Sequence, residues 1–247
     1  MSTMSDWSTR AVNLAEHSNN PIHTDEGARA QGFAAGLVAG TTVYTYLSHL
    51  PATAWGFDWV SRGGAALRFS EPVLDGDLVE CAASGVGKGG GTVVEALVGG
   101  TLRARSEMFR TAPDLPNRPG EALESIRFVL DQPWIDYGER GGDDCGLYRE
   151  HSIAHPVAWL KIANRFFAEQ LVSGSWIHVR STVAHHGTAT LGSSITADAV
   201  VVDRFDSRAG RRAIADVRIQ ADHELVATVE HEAIIDLPAH SVYESSR

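Results

Sequence analysis

One plan occurs twice in this chain: a helix apolar over most of its circumference, then a run of strands. In the first half, "AGTTVYTYLSHL" (Ala39 to Leu50) places Thr41, Tyr44, Leu47 and Leu50 on one helical face. In the second, "HPVAWLKIANRFFAEQLV" does the same with Val157, Leu160, Asn164, Phe167 and Leu171. Three- and four-residue spacing of apolar side chains marks a helix. A helix with so little polar surface has to be surrounded, so each is expected at the centre of its half.

The segments after the helices change period. "RRAIADVRIQAD" sets Ala213, Ala215, Val217 and Ile219 against Asp216, Arg218 and Gln220, and "ELVATVEHEAIIDL" alternates through Leu225, Ala227, Val229, Ala233 and Ile235. Alternation at every second residue describes an antiparallel sheet with one dry and one wet face. "LRFSEPVLDGDLVECAASGV" reads as two strands around an Asp-Gly turn, and "GGTVVEALV" as another. The fold class is therefore α+β. "TAPDLPNRPGEALES", with Pro113, Pro116 and Pro119, is a connector, because proline removes backbone donors and fixes φ. The expected layout is a first half over 1–112, a linker over 113–123 and a second half over 124–247.

Several functions fit the composition poorly. The 247 residues are 43% hydrophobic, enough for a packed core, and carry a formal charge of -10. No Lys/Arg cluster offers a face to nucleic acid or to an anionic membrane. No apolar run is long enough to span a bilayer, and "MSTMSDWSTR" lacks the apolar core of a signal peptide, so a cytoplasmic protein is expected. Cys81 and Cys145 alone make neither a disulfide framework nor a zinc site. His185 and His186 point to opposite faces of a strand, and Pro156 argues against a helix through His151 and His155, so no metal and no cofactor are expected. The glycine run "GVGKGGGT" lacks the Gly-Lys-Ser/Thr ending of a phosphate loop and reads as a hairpin loop.

The segment "NNPIHTDEGARAQGF", followed by "GLVAGTTVYTYL" and "RFSEPVLDGDLVE", resembles the MaoC-like dehydratases, which include the (R)-specific enoyl-CoA hydratases. Their motif is Gly-Asp-x-Asn-Pro-Ile-His. The resemblance is clearest from Val12 to Val86; more faintly, "GDDCGLY" occupies the motif's place in the second half. It implies a double hot-dog fold, in which two fused halves, each an antiparallel sheet wrapped round a long helix, replace a homodimer; further pairing of such a chain is left open. It also implies an acyl thioester substrate, carried by CoA or an acyl carrier protein.

Both copies of the motif depart from the family. The aspartate position holds Ser18 in the first half and Asp143 in the second; the histidine position holds His23 and Tyr148. In the family, aspartate and histidine hold the water that adds to an enoyl thioester, while a glycine N–H at the start of the central helix receives the oxyanion charge. Gly40 matches that glycine and Ser48 matches a pocket hydroxyl. Pro156, where Gly40 would recur, has no N–H to offer. The resemblance thus implies a hydratase or dehydratase site in the first half only, with His23, Gly40 and Ser18 catalytic and Asn20, Ser48 and Tyr44 binding substrate. The second half is expected to serve as a structural partner, with Asp143 too distant to serve His23. Serine cannot carry a carboxylate's charge, so Glu16 and Asp25 are alternative partners for His23. The competing readings are a hot-dog thioesterase or biosynthetic tailoring enzyme, and a non-catalytic acyl-binding protein with His23 merely structural and Gly40 there for packing.

Overall fold

The computed structural model describes residues 4–15 and 18–237. Its two long helices are α2 (Gly40–Arg62) and α6 (Val157–Gln170), with short helices α1 (Asp25–Ala30), α3 (Gln132–Ile135), α4 (Tyr137–Arg140) and α5 (Leu147–Glu150). The strands of the first half are β1 (Trp7–Arg10), β2 (Gly64–Phe69), β3 (Leu78–Val86), β4 (Thr92–Val98) and β5 (Thr101–Phe109). Those of the second are β6 (Glu121–Ala122), β7 (Ile126–Val129), β8 (Ile177–His185), β9 (Ser194–Ser207), β10 (Gly210–Ala221) and β11 (Glu224–Asp236).

Every residue of α2 from Thr41 to Ala52 is buried, as a helix without a polar face requires. Two of its hydroxyls are satisfied within the helix: Thr45 Oγ1 donates to the Thr42 carbonyl at 2.7 Å and Ser48 Oγ to that of Thr45 at 3.0 Å. The helix runs twelve residues beyond Leu50, where the sequence periodicity stops, and breaks direction at Gly56, whose φ of 62° suits glycine. In α6, Val157, Leu160 and Phe167 are fully buried.

All strand pairs are antiparallel, and the strands form one sheet in the order β1-β3-β4-β5-β2-β8-β11-β10-β9-β6, with β7 also on β9. The halves join where β2 pairs with β8, from Gly64 opposite Ala184 to Arg68 opposite Arg180. Helix α2 packs on β3, β4, β5 and β8, and α6 on α2, β8 and β11, so the sheet curls round both helices. β2 and β3 do flank the Asp75–Gly76 turn, but they are not hydrogen-bonded to each other: β2 pairs with β5 and β8, β3 with β1 and β4. Beyond the sheet's buried side, Arg118 in the connector bonds Asp216 and Glu230, and Arg180 links Glu230 to Glu232 across β8 and β11.

The alternation read in β11 gives way to four consecutive buried residues, His231 to Ile234, and the facing strand β8 is irregular at the same place. Glu232 faces Arg180 and Ala233 faces His178, so Val179 is an extra residue in β8, a β-bulge. The bulge brings His178 and Ser181, three residues apart, to the same side of the sheet: Nε2 of His178 lies 2.8 Å from Ser181 Oγ.

Candidate active site

A cavity of about 1100 Å³ lies between the halves. Asn20, Ile22, His23 and the segment from Leu37 to Gly40 border it from the first half; Asn164, Trp176 and His178 border it from the second. Arg68 and Arg208, both exposed, stand on its rim with Glu71.

The Asn-Pro-Ile-His element forms a single tight turn, Pro21–His23, capped by Asn20, whose Oδ1 accepts from the Ile22 amide at 3.3 Å. The same side chain clamps the two halves. Its Oδ1 accepts from the Trp176 amide and its Nδ2 donates to the Trp176 carbonyl at 3.0 Å. Asn20 thus lines the cavity with its polar atoms already engaged by protein.

His23 follows the turn. Its Nδ1 lies 2.7 Å from the Leu37 carbonyl. A carbonyl only accepts, so Nδ1 carries the proton and Nε2 is left as the ring's acceptor. Burial pulls the His23 pKa below its ordinary value, with the Leu37 carbonyl acting weakly the other way, so the ring is a neutral base near pH 7. Leu37 is three residues ahead of Gly40, so one short segment ties the imidazole to the start of α2.

Gly40 is the first residue of α2, and the Ala39 side chain makes no capping hydrogen bond there. A Cβ on Gly40 would stand 2.9 Å from two atoms of the Phe69 ring and 3.3 Å from Nδ1 of His178. The glycine is therefore needed for close approach, and it places an amide-rich helix start against the cavity.

Ser18 is exposed and its Oγ accepts from the Asn20 amide at 3.3 Å; it does not border the cavity. Glu16 lies outside the described residues. Asp25 is committed elsewhere: Oδ1 accepts from the Gly36 amide and Oδ2 bonds Arg29. Tyr44 and Ser48 are fully buried in α2 and do not line the cavity.

Ser48 belongs instead to a second cluster. His49 Nδ1 donates to Asp143 Oδ1 at 2.6 Å, the Cys145 amide donates to the same oxygen at 3.0 Å, and His155 Nε2 stands 3.3 Å from Oδ2. The Val157 amide donates to His155 Nδ1, which leaves the His155 proton on Nε2, facing Asp143 and 3.5 Å from Ser48 Oγ. Trp7 stacks on His49 with ring centroids 4.0 Å apart, and Tyr148 lies 4.2 Å from His155. Burial alone would raise the Asp143 pKa, but His155 and His49 outweigh it and hold the carboxyl at about 2. His49, Asp143 and Asp144 bring one potential ligand atom each within 4.8 Å of one another. Their atoms are already paired, however: Asp143 with His49, and Asp144 Oδ1 with Trp7 Nε1. Asp143 is not among the cavity residues.

Sequence reading passed over His178, which borders the cavity, and His231, which is buried behind it. Ser181 Oγ lies 2.8 Å from His178 Nε2 and 2.8 Å from His231 Nδ1, with the two rings 4.1 Å apart. Their signal was hidden by the bulge at Val179, which breaks the period-two rule that would have grouped them.

Two wrapped helices on one continuous antiparallel sheet define a double hot-dog protein. The solved structures bear this out. A conserved hypothetical protein of Mycobacterium tuberculosis with a double hot-dog fold matches with a TM-score of 0.66 over 95% of this chain and 96% of that one, at 11% identity. A Chloroflexus aurantiacus protein assigned to the MaoC-domain dehydratases matches at 0.65, 10% identity and 95% of each chain. A Novosphingobium aromaticivorans protein assigned as a thioesterase matches at 0.54, 14% identity, over 96% of this chain and 97% of that one. The fold is thus that of the MaoC-like dehydratases, shared with thioesterases. No protein-family model and no curated protein matches the sequence. No helix among the described residues is long and apolar enough to cross a membrane.

Proposed function

We propose that this protein acts on acyl thioesters, carried by CoA or an acyl carrier protein, as a hydratase or dehydratase in the cavity between its halves. One observation carries the reading: His23, with Nε2 unprotonated, and Gly40, at the start of a long helix, border the same cavity and are joined through Leu37.

In the hydration direction, water gives a proton to His23 Nε2 and its oxygen bonds to C3 of the enoyl chain. The C2–C3 π electrons move toward the thioester, whose oxygen gains charge beside the Gly40 N–H. The imidazolium then returns a proton to C2, and the enzyme is restored. The Leu37 carbonyl supports the charged ring during the cycle. Ile22, Val43 and Trp176 give the cavity wall an apolar stretch that suits an acyl chain.

A second reading, thioester hydrolysis, is favoured by the engagement of Asp25 with Arg29 and Gly36 and by the exposure of Ser18, which leave no described carboxylate assigned to His23. Attack at the carbonyl carbon needs only a base and an oxyanion donor. Incubation with short and medium trans-2-enoyl-CoAs separates the two. Loss of enoyl absorbance dependent on His23 without thiol release supports hydration, and release of free thiol dependent on His23 supports hydrolysis. Equal background rates for wild type and His23→Ala, with tight binding of the thioester, would leave an acyl-binding protein.

A further inference from the structure

The Gly40 amide does not stand alone at its end of the cavity. His178 Nδ1, on the second half, is buried and has no hydrogen-bond partner, and it lies against Gly40, 3.3 Å from where a Cβ would be. The ring's other nitrogen is fixed by Ser181, and Ser181 by His231. His178 is 7% exposed, and an unmatched polar atom buried in it is costly unless something meets it during function.

We propose that His178 is a second oxyanion donor, its Nδ1–H acting with the Gly40 N–H on the thioester oxygen, and that Ser181 and His231 set the tautomer that makes it a donor. This rests on the thioester reading above.

The tautomer follows from counting protons. Ser181 has one hydroxyl proton and lies between two ring nitrogens, so one ring donates to Oγ and the other accepts from it. If His178 Nε2–H donated to Ser181, the hydroxyl would pass to His231 Nδ1, and His231 would hold its proton on Nε2. That atom is buried without a partner. A buried orphan N–H costs more than an orphan lone pair, whose neighbours need supply nothing. The reverse order, His231 Nδ1–H to Ser181 to His178 Nε2, leaves a lone pair on His231 Nε2 in the core and moves the unpartnered N–H to His178, which borders the cavity where a ligand can meet it. It puts the His178 proton on Nδ1, beside Gly40.

The ring is held neutral, as a tautomer switch requires. Burial pushes its pKa down to about 3, the Arg180 backbone opposing only weakly, and the start of α2 disfavours a cation beside it. Phe69 closes this end of the cavity, edge-on to His178 at 4.8 Å and packed over Gly40. The thioester carbonyl reaches both donors by displacing that ring.

Two measurements test the assignment. In the wild-type protein labelled with ¹⁵N-histidine, the nitrogen shifts of His178 should show the proton on Nδ1; a proton on Nε2 overturns the proposal. In turnover of a trans-2-enoyl-CoA, with thiol release followed in parallel, His178→Phe keeps a ring without a donor and should lose about 10²–10³-fold in kcat with KM little changed. His178→Asn sets an amide N–H near the place of Nδ1 and should recover most of that loss. Equal losses in the two variants overturn the donor role. If His178→Phe matches wild type while His23→Ala is inactive, His178 is excluded and the thioester reading stands. If wild type neither binds nor converts a thioester, both fall together.

Discussion

Asp143, from the second half, accepts a 2.6 Å hydrogen bond from Nδ1 of His49, on the central helix of the first. The two residues are 94 apart in sequence, and the contact is buried. It occupies the place where a second copy of the motif would have stood, and its role there is to join the halves. Asp143→Ala strands the His49 and His155 donors and the Cys145 amide at once. The expected loss is about 3–5 kcal/mol of stability. Urea denaturation checks it, and a loss below about 1 kcal/mol would show the cluster to be dispensable.

The same carboxylate gives acid sensitivity of a defined sign. Its folded pKa, about 2, lies below its ordinary value of 3.8. The stability it confers is therefore complete above about pH 4 and lost as pH falls toward 2.

Three buried histidines act in a higher window. Burial depresses His178 to about 3 and His185 to about 4, and pushes His231 well below 6.5. The unfolded chain takes up protons below about pH 6.5 that the native rings refuse, so stability falls as pH drops from there. Each ring contributes about 1.4 kcal/mol per pH unit once the unfolded state is protonated. Replacing His185 with Gln should flatten the decline between pH 6 and 4, as read by thermal melts across that range.

His23 sets the expected pH dependence of turnover. Its depressed pKa means the base form dominates at neutral pH, so the acid limb of kcat/KM should lie below pH 6.5. His23→Ala should reduce kcat by about 10²–10⁴-fold with little change in melting temperature. A variant that melts early would mark the ring as structural.

Gly40→Ala forces a Cβ into the Phe69 ring and toward His178 Nδ1. Overpacking of this kind costs about 1–3 kcal/mol. Activity should fall further than stability does, because the displaced rings border the cavity end proposed above for the thioester oxygen. Truncating Phe69 to Ala in the Gly40→Ala background should restore the stability and not the rate.

Asn20 supplies a different kind of support. Its amide holds both backbone groups of Trp176 as well as the Ile22 amide. Asn20→Ala leaves buried polar groups unpaired and should cost about 1–3 kcal/mol. Any rise in KM would come through the loosened Trp176 wall.

Local pattern was enough to determine the α+β class, the two wrapped helices and most strands, because period 3.6 and period 2 are written in neighbouring residues. His23 and Gly40 were singled out by the family resemblance, which could be read because the turn and the helix start that carry them are short and continuous. The tertiary structure alone decided that Ser48 and Asp143 join a second buried cluster, that β2 and β3 are not partners, and that His178 meets Gly40. Those relations depend on strand order, on a bulge at Val179 that reverses the facing of everything beyond it, and on side chains brought together from opposite halves, none of which leaves a trace in the spacing of adjacent residues.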